Sequence, residues 1–312
     1  MNKNDRILIT GATGMVGHAL QRVLSEQGYH NVLSVGSKNI DLKDQFQTEN
    51  LLDSYQPDYV FHLAAQVYGI GGNTKYKSDI LYNNAMINMN VIEESRKAKV
   101  KKIVAMGSGC VYPDLGNNIE LTEDQIWLGE PHGSEDSYAQ AKRFMLAQLK
   151  AAEEQYGMKF AYAISGNMYG EYDKFNIENG HVIPVLIAKF FNAVQNDSYV
   201  TAWGSGVAVR DFSYGYDSAT ALYLLMQEIE GAANIGSGFR HPISDILDIL
   251  KNKTGIDFEY DKSKPDGQLE RYYNLDKIKE LGFKATTDLE SGIRRTYDWY
   301  TGYMRRVGYV QG

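Results

Sequence analysis

The stretch that most limits how this chain can fold begins at Ile7. Ile7-Leu8-Ile9-Thr10 is a short apolar run that ends in Gly11-Ala12-Thr13-Gly14-Met15-Val16-Gly17. An amphipathic segment follows from His18 to Gln27 and stops at Gly28, a residue type that terminates helices well. Strand, glycine turn and helix in that order form the context that a dinucleotide fingerprint requires. The first glycine permits the tight turn, the next lets backbone approach a pyrophosphate, and the helix N-terminus receives its charge. The spacing is Gly-x-x-Gly-x-x-Gly rather than Gly-x-Gly-x-x-Gly. In this position it predicts a dinucleotide site built on Gly11, Thr13, Gly14, Met15, Val16 and Gly17.

Further apolar runs at Asn31–Val35, Tyr59–Leu63, Ile103–Met106 and Phe160–Ile164 read as strands, and Asp79–Ser95 reads as a helix. Strands alternating with helices predict an α/β fold with a Rossmann-type, doubly wound parallel sheet. The ligand site then lies at the carboxyl ends of the strands, near the switch point. The second strand ends in Gly36-Ser37-Lys38, with no acid to bind a ribose 2′-hydroxyl. Lys38 offers a cation to a 2′-phosphate instead, which favours NADP(H) over NAD(H). Asp41 and Leu42 are expected at the adenine, and Ala64 and Ala65 allow close approach of backbone to cofactor. Residues 1–165 are expected to form the NADP(H)-binding domain. Residues 166–312 are expected to form mainly a smaller C-terminal α/β substrate-binding domain, with some segments returning to the first. Gly231–Gly238 and Asp261–Gly267 read as turn-rich loops, and the remainder to Tyr300 as two or three helices.

Composition removes several function classes. A net charge of −7 without any Lys/Arg run argues against a nucleic-acid surface. Cys110 is the only cysteine, so no intrachain disulfide forms and a reducing compartment is expected. The N-terminal apolar run is too short for a signal-peptide core, and the stretch near Val182 is broken by Pro184. A cytoplasmic protein without a membrane segment or metal cluster is expected.

The chemistry is written in Ser137-Tyr138-Ala139-Gln140-Ala141-Lys142. Tyr138 and Lys142 stand four residues apart, on one face of a helix that the Gly- and Pro-free run to Tyr156 supports. A nearby ammonium lowers a phenol from its ordinary pKa of about 10, so the pair can pass protons near neutral pH. The Ile103–Met106 strand runs into Gly107-Ser108-Gly109-Cys110, which brings Ser108 and Cys110 to the same carboxyl edge. Further on, Trp203 and Arg210 supply an aromatic face and a guanidinium, suited to packing a base and pairing a diphosphate.

These motifs resemble the extended short-chain dehydrogenase/reductases, and more narrowly the GDP-L-fucose synthase family. The narrower resemblance rests on Met106-Gly107-Ser108-Gly109-Cys110-Val111-Tyr112-Pro113 and on Asn179-Gly180-His181-Val182-Ile183-Pro184. It rests too on Trp203-Gly204-Ser205-Gly206 with Arg210-Asp211-Phe212, and on Ser263-Lys264-Pro265-Asp266-Gly267. It implies NADP(H) as cofactor and a GDP-linked 4-keto-6-deoxy sugar as substrate. By resemblance Cys110 and His181 exchange protons at C3 and C5, Tyr138 donates a proton on reduction at C4, Lys142 binds the nicotinamide ribose and Ser108 orients the carbonyl. Cofactor contacts extend to Met106, Gly107, Ser165, Asn167, Met168 and His181. The sugar nucleotide would be held by Asn167, Val182, Lys189, Trp203, Arg210 and Asp266. A homodimer is implied, formed through the helices at Asp79–Ser95 and Tyr138–Tyr156.

Three departures from the family pattern stand out. Its Ser-Ser-Cys is Ser108-Gly109-Cys110 here. Its Ala-Ala-Lys-Val-Gly-Gly is Ala64-Ala65-Gln66-Val67-Tyr68-Gly69, and its Pro-Thr-Asn is Ser165-Gly166-Asn167. These changes keep open a 4-reductase or single-centre epimerase/reductase acting on a related nucleotide-linked 4-keto sugar, such as a 3,6-dideoxyhexose or a heptose. A 4-epimerase or 4,6-dehydratase with tightly bound NAD(P) is the remaining alternative. It is disfavoured because Gly109 and Cys110 stand where a dehydratase carries an acid.

Overall fold

Six parallel strands form the central sheet, in the spatial order Gly231–Ile235, Phe160–Ser165, Lys102–Met106, Tyr59–His62, Ile7–Thr10 and Val32–Val35. A computed structural model describes residues 1–308 apart from 117, 118, 265, 267 and 268. Ile7, Leu8, Ile9, Val60, Phe61, Ile103 and Val104 are all fully buried. Burial on both faces explains why these strands read as unbroken apolar runs rather than alternating ones. The winding reverses between Ile7–Thr10 and Tyr59–His62, which pair in register with Thr10 opposite His62. That crevice is the switch point.

Helices flank the sheet in packed pairs. Met15–Glu26 lies against Gly215–Glu228, and Lys77–Lys97 lies against Asp136–Tyr156. The last two run slightly longer than the sequence suggested at both ends or at the N-terminal end. The helices Gln45–Tyr55, Ile70–Lys75 and Gly215–Glu228 were not singled out from sequence. At the switch point, Thr10 Oγ1 and His62 Nδ1 are 2.8 Å apart, and His62 Nε2 is 3.0 Å from Asn88 Oδ1. Asn88 in turn donates to the carbonyl of Ala141 at 3.4 Å, which ties the sheet to the helix bearing Tyr138 and Lys142.

The expectation of a loop over Gly231–Gly238 is corrected in its first part. Gly231–Ile235 is the edge strand of the main sheet, paired with Phe160–Ser165 from Gly231 opposite Ala161 to Ile235 opposite Ser165. Gly231, Ala232 and Ala233 carry no strand signature of their own. Only Ala233, Asn234 and Ile235 of this strand are buried, and Asn234 accepts from the Tyr112 hydroxyl at 2.6 Å.

A second core lies beyond Asn167. Helices Val182–Asn196, Ile243–Thr254 and Leu289–Arg306 bury Ile187, Phe190, Leu247, Leu250 and Ile293 against one another. Asp288 caps the last of them by accepting from Ser291 N at 2.8 Å. A small sheet in the order His241–Pro242, Val209–Arg210, Glu270–Tyr273, Glu120–Leu121 links this part to the first. Among the described residues, no helix is long and apolar enough to cross a membrane.

Candidate active site

A cavity of about 850 Å³ opens along the carboxyl edge of the sheet. Its walls bring together Gly11, Thr13, Gly14, Met15, Val16, Gly17, Asp41, Leu42, Ala64, Ala65, Met106 and Gly107 with Ser108, Cys110, Tyr138, Lys142, Ser165, Asn167, Met168 and His181. At one end lies the glycine turn. Gly11 has φ +70°, and a Cβ there would stand 2.7 Å from the backbone nitrogen of Ala64. A Cβ on Gly17 would stand 2.5 Å from Gly11 O, so two of the glycines let helix, turn and third strand close up. The helix from Met15 has no side-chain cap and no acid in its first turn. Its amides therefore remain available to a pyrophosphate, so the turn fits the dinucleotide that the fold implies. Lys38 is exposed and does not line the cavity; Ser37 and Lys43 do, with Lys43 3.6 Å from Asp41.

At the other end the reactive groups are packed more tightly than the sequence implies. Ser108 stands two residues past the Lys102–Met106 strand, and its Oγ accepts from Cys110 N at 3.4 Å. Lys142 is buried, donates to the carbonyl of Met106 at 2.7 Å and sits 5.7 Å from the Tyr138 ring centre. Burial lowers its ammonium to about 8. The expectation that Lys142 lowers Tyr138 is corrected here. Protein around the phenol pushes it above its ordinary value, with Cys110 and Glu135 adding to the effect. Cys110 is only 4% exposed, and burial pushes its thiol up to about 12, with the charge of Glu135 second. It is a neutral thiol at physiological pH, not one poised near its ordinary value of about 8.5.

His181 is exposed at the start of the Val182–Asn196 helix and makes no side-chain capping bond. Nearby Asp173 lines the same cavity, and its Oδ2 is buried without a hydrogen-bond partner among the described residues. Burial raises this carboxyl, with the charges of His181 and Lys174 opposing.

Val182, Lys189, Trp203, Arg210 and Asp266 stand outside the cavity. Trp203 is 60% exposed, with Lys264 Nζ 5.5 Å and Lys189 Nζ 5.7 Å from its ring centre. Lys189 also donates to Thr201 O at 2.8 Å. Asp266 accepts from Ser205 N at 2.6 Å and from Ser205 Oγ at 2.9 Å. Arg210 is turned toward backbone, donating to Val209 O at 2.8 Å. Pro265 and Gly267 of the Ser263–Gly267 motif lie outside the described residues.

Several cavity residues were not singled out from sequence. Glu135 stands one turn ahead of Tyr138, and Arg271 pairs with it at 3.4 Å. An acid therefore does face the reacting region, although neither Gly109 nor Cys110 supplies it. Spacing from Tyr138 could have revealed Glu135; nothing local marks Arg271 or Tyr273. In the same cavity wall, Gln66 donates to the Tyr68 hydroxyl at 2.8 Å and accepts from Asn83 at 2.6 Å.

A Rossmann sheet whose glycine turn shares one cavity with Ser108, Tyr138 and Lys142 defines a nicotinamide-dependent enzyme of the short-chain type. The chain belongs to the NAD dependent epimerase/dehydratase family, whose sequence model matches residues 7–236. It is 32% identical over 305 residues to putative GDP-L-fucose synthase 2 of Arabidopsis thaliana, over 96% of this chain and 93% of that one. A GDP-L-fucose synthetase from Naegleria fowleri bound to NADP superposes with a TM-score of 0.90 at 30% identity, covering 98% of this chain and 95% of that chain. A GDP-6-OMe-4-keto-L-xylo-heptose reductase from C. jejuni also reaches 0.90, at 27% identity, covering 97% and 99%.

Proposed function

We propose that the protein is an NADPH-dependent epimerase/reductase of a GDP-linked 4-keto-6-deoxy sugar, of the GDP-L-fucose synthase type. The observation that carries this reading is the single cavity shared by the glycine turn, Ser108, Cys110, Tyr138, Lys142 and His181. A 4-keto group acidifies the protons on C3 and C5, because loss of either gives an enolate. His181 takes the proton from one face, and the neutral Cys110 thiol returns one to the other. Exchange with solvent then resets both groups. Bound along the glycine turn, NADPH would supply the hydride for C4. Tyr138, half-buried and un-ionised, gives its proton to the developing alkoxide, while Ser108 holds the carbonyl oxygen. Lys142, fixed to Met106 O, presents its ammonium to the nicotinamide ribose.

In this reading residues 1–165 hold the cofactor, with Lys43 joining Lys38 as a cation near the 2′-phosphate. Residues 166–312 hold mainly the sugar nucleotide, and Gly231–Ile235 returns to the first sheet. The exposed Trp203 indole, flanked by Lys189 and Lys264, suits the nucleotide portion; Val182, Arg210 and Asp266 complete that side. The enzyme is a cytoplasmic homodimer in this reading. Leu81, Tyr82 and Met89 on one helix and Phe144 on its neighbour are all more than 40% exposed, an apolar strip of the kind a second copy would cover. A GDP-linked heptose is the second reading, favoured by the likeness to the C. jejuni reductase and by the Gln66–Tyr68 pair in the cavity wall.

Purified protein mixed with NADPH and GDP-4-keto-6-deoxymannose should consume NADPH stoichiometrically. Firmly bound cofactor with no net NADPH consumption would instead indicate a 4-epimerase or dehydratase cycle.

A further inference from the structure

Tyr273 ends the Glu270–Tyr273 strand, which crosses from the second core to pair with Glu120–Leu121, Tyr273 lying opposite Leu121. Its ring is 7% exposed and lines the cavity beside Ser108, Cys110 and Tyr138. Two glycines make room for it. A Cβ on Gly109 would stand 2.0 Å from the Tyr273 hydroxyl oxygen, and a Cβ on Gly166 would stand 2.9 Å from Cε2 of the ring. Neither glycine has a positive φ, so backbone conformation does not require glycine at either position. The space does. They also lie in two of the three segments where the chain departs from the family pattern, so one side chain accounts for the glycine in each.

A cation stands beside the ring. Arg271, two residues earlier on the same strand and ion-paired to Glu135 at 3.4 Å, sets its charge near the Tyr273 phenol: burial pushes the phenol up and the guanidinium opposes. A guanidinium only donates, so it makes no claim on the phenol's own proton. Among the described residues no protein acceptor takes that proton, and the group faces the cavity.

We propose that Tyr273 is a substrate-contacting residue that sets which sugar the site accepts, its hydroxyl donating a hydrogen bond to a sugar oxygen from the place a side chain on residue 109 would occupy. The inference rests on the 4-keto sugar reading above. Sites built around a buried donor reject ligands lacking the matching oxygen far more strongly than apolar walls reject an extra group.

The test is Tyr273→Phe, which keeps the ring between the glycines and deletes only the hydroxyl. For the best-turned-over sugar in a panel of nucleotide-linked 4-keto hexoses and heptoses, kcat/KM should fall about tenfold or more. The melting temperature and NADPH affinity, read by fluorescence titration, should stay at wild-type values. In a Tyr273→Leu background, Gly109→Ser returns a hydroxyl to the vacated space and should recover turnover relative to Tyr273→Leu alone. With Tyr273 intact, Gly109→Ser should only reduce it. Wild-type turnover matched within twofold by Tyr273→Phe on every sugar would overturn the inference. A fall in melting temperature or NADPH affinity equal to the loss of turnover would do the same, by making Tyr273 a structural residue. A wild-type protein that binds NADPH yet reduces no sugar in the panel would overturn the functional reading, and this inference with it.

Discussion

Lys142 is anchored to Met106: its ammonium donates to the carbonyl oxygen that ends the strand leading into Ser108, at 2.7 Å. The lysine is thus fixed to the sheet before any cofactor arrives, and its burial lowers it to about 8. A rise in pH through 8 removes the charge that faces the nicotinamide ribose. The kcat/KM profile, which reports the free enzyme, should therefore fall on its alkaline side near that value. Stability should move the other way. Between about 8 and the unfolded value of about 10.5 the unfolded chain holds a proton that the folded chain lacks, so stability rises with pH. Lys142→Met should flatten that rise, as read by denaturant melts across the window.

Cys110 gives a second prediction. With its thiol pushed up to about 12, it acts as a proton donor rather than as a standing thiolate. Cys110→Ser should slow deuterium exchange at the sugar by about a hundredfold or more, while NADPH affinity is retained. Alkylation of the native thiol by iodoacetamide at pH 8 should be far slower than alkylation of the same residue in the unfolded chain.

The nucleotide-binding turn and the Tyr138–Lys142 pair were legible because each announces itself locally, whereas the Gln45–Tyr55 helix between them was missed. Ile7–Thr10 followed by Gly11–Gly17 specifies strand, turn and helix within a dozen residues, and Tyr138 and Lys142 share a helix face by spacing alone. Gly231–Ile235 was missed because its place in the sheet comes from Phe160–Ser165 beside it, not from its own side chains. Tyr273 and Arg271 were missed for a similar reason. A short strand carries them into a cavity built by residues about ninety or more positions earlier, and one tyrosine among 23 carries no mark. The pKa expectations for Tyr138 and Cys110 failed because sequence spacing gives neighbours but not burial, and burial is the larger effect at both.

His62 offers a test of the switch point itself. Buried between Thr10 and Asn88, it is lowered to about 3 by desolvation and by the charge of Lys142. It stays neutral in the folded state while an unfolded histidine takes up a proton below about 6.5. Stability should therefore fall as pH drops from 6.5 toward 4. His62→Gln should lose part of that dependence, seen as a smaller difference in melting temperature between pH 7 and pH 5.

Trp203 should matter for the nucleotide and not for the chemistry. Its indole is exposed and flanked by two lysines outside the cavity. Trp203→Ala should raise KM about tenfold or more for the GDP-linked sugar and weaken GDP as a competitive inhibitor by a similar factor. NADPH affinity should not change, and kcat at saturating sugar should stay within about threefold.

The central claim is that one cavity both exchanges protons beside a 4-keto group and reduces that group. Proton NMR of GDP-4-keto-6-deoxymannose incubated with the protein in D₂O, first without and then with NADPH, tests it most directly. Deuterium should enter at C3 and C5 before NADPH is added, and addition should then give the reduced, epimerised GDP-sugar. Reduction at C4 with the C3 and C5 protons untouched would contradict the claim, leaving Cys110 and His181 without a proton-exchanging role.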